Sequence, residues 1–299
     1  HGDSILAKLK SYRNKHNIDL SKISGTLYND DKDLALFLSK LYPLFFKTNP
    51  LHPDIFPIIT QIECDIVNMC KNLYKGGKES IGYVSSGGTE SILLACYAYK
   101  NYGLKNNINY PEIILPNSAH AAFDKASKYF NIKLVKIPHK EDGTFDLELY
   151  ESCINNNTIC LVCSAPSYNH GIIEPYSEIG NMGFRYNIPV HVDACLGGFL
   201  LPFLSNNFYN KNKIQKLDFT INGITSISID THKYGYTPKG TSLILYNNKK
   251  YAHNQYFIQP NWSGGIYATS TLSGSRSGNL LVLTWATLLY YGLSGYKNN

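Results

Sequence analysis

Apolar residues recur along the chain in two rhythms. Over residues 30–73 they fall at helical spacing. Leu34, Phe37, Leu38 and Leu41 follow an Asp30 cap, and Ile58, Ile62, Ile66 and Met69 mark one face of a helix from Ile55 to Leu73. Pro43 is expected to bend or end the first of these. From residue 80 the rhythm changes to short apolar or β-branched runs separated by longer mixed stretches. Ile81–Val84, Ile113–Leu115, Ile132–Ile137, Ile159–Cys163, Ile188–Val192, Ile224–Ile229 and Ser242–Tyr246 read as strands. Glu90–Tyr99, a stretch capped by Ser118, another begun by Asp146, Glu174–Tyr186 and Asn279–Tyr291 read as helices. Residues 1–20 read as a loose polar helix and Ser24–Tyr28 as a turn.

Strands alternating with helices over residues 80–246 predict an α/β fold with a mainly parallel sheet flanked by helices. We divide the chain into an N-terminal helical arm, residues 1–54, and a large domain, residues 55–299. The composition, 43% hydrophobic and 17% charged, is that of an ordinary globular protein. No apolar run approaches the roughly 18 residues of a membrane span, and no signal peptide is recognisable. The chain begins with His1 rather than Met, so a fragment or trimmed form is expected, with any membrane anchor outside it.

Charge and cysteine content narrow the chemistry. The net charge is +6, but the lysines are scattered. The densest group, Lys211, Lys213 and Lys216, lies among asparagines without interleaved aromatics, which reads as a solvated loop and gives no nucleic-acid partner. Only Arg13, Arg185 and Arg276 are arginines, and the last sits in Ser-Gly-Ser-Arg-Ser-Gly, a setting that suits anion binding. Cys160 and Cys163 form a Cys-x-x-Cys inside an apolar run. No second pair completes a metal site, so buried thiols are expected and no metal.

Three features together carry a specific chemistry. The strand Ile188–Val192 delivers Asp193, and the strand Ile224–Ile229 leads to Lys233 within His-Lys-Tyr-Gly-Tyr. Ligands of open α/β sheets bind beyond the carboxyl ends of strands. A lysine and an aspartate there suit pyridoxal 5'-phosphate, the lysine bonding its aldehyde and the aspartate holding a proton on its ring nitrogen. The aromatic setting of Lys233 is expected to lower its pKa and favour the free amine. Upstream, Ser85-Ser86-Gly87-Gly88-Thr89-Glu90-Ser91 leads from a strand into a helix. Unpaired amides at a helix start accept phosphate, and glycine lets it approach the backbone. The turn has neither the lysine of a Walker A loop nor the dinucleotide Gly-x-Gly-x-x-Gly pattern.

The strings His-Val-Asp193-Ala-Cys-Leu-Gly-Gly-Phe and Asp-Thr-His232-Lys233-Tyr-Gly-Tyr-Thr-Pro-Lys239-Gly resemble the sphingosine-1-phosphate lyases. These are pyridoxal-phosphate enzymes of the aspartate-aminotransferase (type I) fold, akin to group II amino-acid decarboxylases. Further matches run in the family's order from Asn49-Pro-Leu-His52-Pro-Asp to the Ser-Gly-Ser275-Arg276 segment. The resemblance implies a truncated large domain lacking the family's C-terminal small domain. It implies cofactor contacts at Gly87, Gly88, Thr89, His120, Asp193, His232, Lys233 and Ser275, with His120 covering one ring face. His52, Lys239 and Arg276 are implied at phosphate groups, Arg276 reaching the cofactor of a partner subunit. Lys233, Asp193, His120 and Tyr168 are the expected catalytic residues, with Tyr168 and His170 candidates for proton handling. The implied reaction splits the C2–C3 bond of a phosphorylated sphingoid base into a fatty aldehyde and phosphoethanolamine, in a homodimer. For a full-length eukaryotic member the resemblance implies the endoplasmic-reticulum membrane, facing the cytosol, and otherwise a cytoplasmic location. Two other readings stand beside it: a group II amino-acid decarboxylase, and a catalytically inactive binding protein of the same fold.

Overall fold

The computed structural model describes residues 2–15, 19, 22, 23 and 25–298. His1, residues 16–18 and residue 20 of the expected polar helix, and Ser24 of the expected turn, lie outside them. The chain divides into two compact units, residues 1–30 and 31–299. In the first, helix α1 spans Gly2–Asn14, with Asp3 in its first turn and Arg13 in its last, each at the end where its charge suits the helix dipole.

In the second unit, α2 spans Lys32–Phe45. Its cap is Asp31, one residue later than expected, whose carboxylate accepts the Leu34 amide at 2.9 Å. Pro43 falls in the last turn, where it removes one helical hydrogen bond, and the helix stops two residues later. Helix α3, Pro57–Leu73, opens on a proline at a position whose amide has no helical partner. Its buried face is Ile59, Ile62, Ile66 and Cys70, while Ile58 is 55% exposed. The helix is thus rotated from the expected phase.

Strands β1 (Ile81–Ser85), β2 (Glu112–Pro116), β3 (Lys133–Ile137), β4 (Thr158–Ser164), β5 (Val190–Ala194), β6 (Ile224–Ile229) and β7 (Ser242–Tyr246) form one sheet in the order β1-β7-β6-β5-β4-β2-β3. The pairs from β6 to β3 are parallel, whereas β7 runs antiparallel to both β1 and β6. Every residue of β4, β5, β6 and β7 is buried, as in sheets covered on both faces. Helices α4 (Gly88–Lys105), α5 (Ala122–Phe130), α6 (Leu147–Ser152), α7 (Tyr176–Tyr186), α8 (Asn206–Asn212) and α9 (Lys249–Ala252) join the strands and their flanks. A hairpin of β8 (Phe257–Trp262) and β9 (Gly265–Thr269), not anticipated from the sequence, precedes α10 (Gly278–Asn298).

The core lies in two layers. One contains Leu161, Cys163, Val192 and Ile227 under α3 and α7, and the other contains Cys160, Val162, Ile92 and Phe123 under α4 and α5. Cys160 and Cys163, an odd number of residues apart on β4, therefore point to opposite faces of the sheet. Both thiols are buried, and burial raises their pKa well above the ordinary value.

Tyr150 of α6 joins two strands: its hydroxyl accepts the Val162 amide at 2.9 Å and lies 2.8 Å from the Ile114 carbonyl. Tyr150→Phe leaves that buried amide without a partner. We expect a loss of about 1–3 kcal/mol in urea unfolding, with the far-ultraviolet circular dichroism of the folded state unchanged.

Candidate active site

Because β1, β4, β5 and β6 run the same way, their carboxyl ends share one edge of the sheet. A cleft of about 390 Å³ opens there. Gly87, Gly88 and Thr89 line it from the start of α4, Asp193 from the end of β5, and His232 and Lys233 from the loop after β6. His120 and Tyr168 line it too. The three features that suggested the cofactor thus meet in one place.

The turn into α4 is built for close approach. Gly87 caps the helix with extended backbone and leaves open space where a side chain would stand. A Cβ on Gly88 would lie 2.7 Å from both Asp230 oxygens and 2.9 Å from Cys195 Sγ, so only glycine fits. Buried Glu90 shapes the turn, accepting the Ser86 amide at 2.6 Å and, from the segment before α10, the Leu272 amide at 2.9 Å.

Asp193 is buried, and its Oδ1 accepts the Cys195 amide at 3.0 Å and the Ser228 hydroxyl at 3.2 Å. Behind it, His191 lies between Ser226 and Ser228, at 2.8 and 3.3 Å. Burial pulls the His191 imidazole down to about 4 despite the nearby Asp193, so it is neutral. Asp193 therefore has no cation at its back.

Lys233 corrects one expectation. Burial disfavours its ammonium, but Asp230 Oδ2 lies 3.0 Å from Nζ and outweighs burial, so the pKa is raised rather than lowered. Asp230 itself was overlooked in the sequence. It stands at the end of β6, three residues before the lysine, and the same oxygen lies 3.6 Å from His232 Nε2. His232 Nδ1 is 2.8 Å from the Thr241 carbonyl, which fixes the ring.

His120 precedes α5 rather than standing in its first turn, and its Nδ1 accepts the Ala122 amide at 3.1 Å. Ser118 is not a cap: its hydroxyl donates to Glu174 Oε1 at 2.7 Å. Glu174, a second residue overlooked, lies in the loop before α7 rather than starting it, and also accepts the Ser164 amide at 2.6 Å. Tyr168 is 59% exposed at the rim. His170 packs against His139, ring centres 4.9 Å apart, and is not among the cleft-lining residues.

His52, Lys239, Ser275 and Arg276 are likewise outside the cleft lining. Asn49 joins two of the segments involved, donating to Ser275 Oγ at 3.0 Å and accepting the Leu51 amide at 3.1 Å. The Arg276 guanidinium is bidentate on Glu63, at 2.8 and 3.0 Å, and also donates to the Val84 carbonyl at 2.9 Å. Within this chain a carboxylate therefore occupies its fork. Lys239 Nζ donates to the His232 carbonyl at 3.1 Å, beside the loop that carries Lys233. Burial and the Lys233 charge pull its amine below the ordinary value. His52 is exposed on a turn, its amide donating to the Asn49 carbonyl at 3.2 Å.

A glycine cradle at a helix start, an oriented acid and a buried lysine on one cleft fit pyridoxal phosphate by chemistry and by placement. A sheet of this order with that site defines a pyridoxal-phosphate protein of the aminotransferase type. The family described as pyridoxal-dependent decarboxylase conserved domain matches residues 26–299. The chain is 46% identical to sphingosine-1-phosphate lyase 1 of Rattus norvegicus over 98% of its own length and 51% of that protein. It is 42% identical to the sphingosine-1-phosphate lyase of Saccharomyces cerevisiae, over 92% of this chain and 47% of that one. The solved sphingosine-1-phosphate lyase of Burkholderia pseudomallei superposes with a TM-score of 0.93 at 35% identity, covering all of this chain and 70% of that one. A Lactobacillus brevis glutamate decarboxylase, TM-score 0.77 at 20% identity, shares the fold. The chain belongs to the sphingosine-1-phosphate lyase branch of the pyridoxal-dependent decarboxylase family, and its cofactor is pyridoxal phosphate. It spans about half the length of the curated relatives it matches.

Glu174 gives a pH prediction. Burial pushes its carboxyl from an ordinary 4.5 up to about 7, against the two hydrogen bonds it accepts. The folded chain therefore holds this proton more tightly than the unfolded chain, and stability falls as pH rises from about 4.5 through about 7. Glu174→Gln removes that cost. Denaturant curves should show no gain from the substitution below pH 4.5 and a gain on the order of 2–3 kcal/mol above pH 7.

Proposed function

We propose that this chain carries the cofactor-binding and bond-cleaving centre of a lyase acting on phosphorylated long-chain bases, releasing a fatty aldehyde and phosphoethanolamine. The observation that carries this reading is the meeting of the Gly87–Thr89 turn, Asp193 and Lys233 on one cleft, in a chain 46% identical to a sphingosine-1-phosphate lyase. Pyridoxal phosphate, when bound, supplies a protonated aromatic ring that takes up the electron pair released when the substrate C2–C3 bond breaks.

The protein's own residues have distinct tasks in this reading. The amides at the start of α4 hold the cofactor phosphate, with Thr89 adding a hydroxyl. Asp193, oriented by the Cys195 amide and the Ser228 hydroxyl, keeps a proton on the ring nitrogen. Lys233 supplies the amine, and Asp230 at 3.0 Å holds it in place until its proton leaves. His120, its ring fixed through Nδ1, covers one face of the cofactor. Tyr168 stands at the rim, where the substrate hydroxyl proton must be taken. His52 and Lys239, outside the lining, read the substrate phosphate at the mouth, and the Ser275–Arg276 segment belongs to the neighbouring subunit's site.

The working unit in this reading is a homodimer, which accords with the exposed apolar side chains Leu44, Phe46, Ile55 and Ile58. Placement in the endoplasmic-reticulum membrane rests on the resemblance to eukaryotic lyases alone. Among the described residues no helix is long and apolar enough to cross a membrane.

Two experiments test the reading. Adding pyridoxal phosphate to the chain should produce a visible absorption band that Lys233→Ala abolishes; a band indifferent to that substitution refutes the site. Fatty-aldehyde release from a phosphorylated long-chain base should be measured with this chain and with a form extended to the length of the curated relatives. In the active form, His52→Ala and Lys239→Met should each weaken kcat/KM by the equivalent of about 1.5–3 kcal/mol, the scale of a lost charged hydrogen bond. Activity unmoved by both substitutions would remove phosphate reading from these residues.

A further inference from the structure

Asp230 stands out among the buried groups at the cleft. The residue is 2% exposed, and its Oδ1 has no hydrogen-bond partner among the described residues. A buried carboxylate oxygen left unpaired is costly, so such an atom marks a place where a donor belongs. Oδ2 is engaged with Lys233 at 3.0 Å, with His232 Nε2 at 3.6 Å. The carboxylate lies against Gly88, the first residue of α4, whose missing Cβ would stand 2.7 Å from each of its oxygens. The unpaired oxygen is therefore beside the helix start that receives the cofactor phosphate.

The charges facing Asp230 do not supply a donor for Oδ1. Lys233 and His232 lie on the Oδ2 side, and Lys239 lies beyond them with its Nζ on the His232 carbonyl. From the loop after β5 comes the Cys195 thiol, kept neutral by burial, and from α4 comes Gly88, which has no side chain. Glu90 adds a second buried carboxylate at the turn, and Arg276 is held on Glu63. A phosphate dianion seated on these amides would meet a buried carboxylate oxygen that has no donor of its own among the described residues. Two acids sharing a site hold one proton between them rather than ionising fully.

We propose that this site takes its cofactor phosphate with one proton shared between a phosphate oxygen and Asp230 Oδ1. The inference rests on the pyridoxal phosphate reading of the cleft. No covalent bond is made or broken. The phosphate, a dianion in solution at pH 8, and the carboxylate together gain one proton from solvent on binding, and that proton forms the hydrogen bond Oδ1 lacks. Asp230 is then a specificity-determining residue for the protonation state of the phosphate.

The test uses 4-deoxypyridoxine 5'-phosphate, which has the ring and phosphate but no aldehyde and cannot bond to Lys233. Calorimetry at pH 8 in buffers of different ionisation enthalpy counts protons taken up. The wild-type chain should take up one more per site than Asp230→Asn, whose amide can donate to a dianion. Its affinity should fall about tenfold for each pH unit above 7 relative to the variant. Phosphorus-31 resonance of the wild-type complex gives an independent reading that stands even if the variant does not fold: its shift should stay away from the dianion value up to pH 8. A wild-type complex with the dianion shift, or equal proton uptake by both chains, overturns the proposal and leaves the cofactor reading intact. Failure of the analogue to bind the wild-type chain overturns both.

Discussion

A run of buried hydroxyls fixes the spacing on which the site depends. Ser85 at the end of β1 lies 2.7 Å from Ser91 of α4, Ser91 lies 2.8 Å from Ser242 at the start of β7, and Ser242 donates to the Ile229 carbonyl of β6 at 3.0 Å. The arrangement is possible because β7 runs antiparallel between β1 and β6, so its first residue sits between their last ones. Each serine is buried and satisfied within the seam, which makes the seam rigid rather than costly. Through it, the amide turn at the start of α4 and the loop bearing Lys233 keep a set distance. A second hydroxyl pair, Thr241 with Thr284 of α10 at 2.8 Å, anchors the far side of the same loop, where Thr241 also lies 2.7 Å from Thr231.

Electrostatics at this edge are arranged so that the charged groups face one another across a cofactor-sized space. Asp193 is backed by a neutral imidazole and held by two donors, which leaves its outward charge undiminished by a rear cation. Lys233 is held by Asp230 as an ammonium, so the amine must give up a proton before it can act as a nucleophile. Glu174 sits under the opposite wall, joining Ser118, two residues before His120, to Ser164 at the end of β4. The two walls of the cleft are therefore tied through one buried acid, while the floor is tied through the serine seam.

Much of this was legible in the sequence, and the failures have identifiable causes. The strand runs, the glycine turn, Asp193 and Lys233 were visible because each has a local signature: β-branched runs, consecutive glycines at a helix start, a lone charge after an apolar run. Asp230 and Glu174 carry no such mark. Asp230 reads as the polar end of a strand and Glu174 as an ordinary first-turn acid; only tertiary packing buries them. The same packing reversed the expected shift of Lys233, since an aromatic neighbourhood favours a neutral amine only when no carboxylate faces it. Ser118 was misread as a cap because its partner Glu174 lies 56 residues away. The β8–β9 hairpin was missed because Pro260 and exposed side chains hide the strand pattern.

The central claim is that one molecule of pyridoxal phosphate is gripped at three points: the amides at Gly88 and Thr89, the carboxylate of Asp193 and the amine of Lys233. A crystal structure of the chain grown with the cofactor tests it most directly. The account predicts continuous density from Lys233 Nζ into the cofactor, its ring nitrogen within hydrogen-bond reach of Asp193, and its phosphate on the first turn of α4. Density with the phosphate away from that turn, or with the ring nitrogen turned from Asp193, would contradict it.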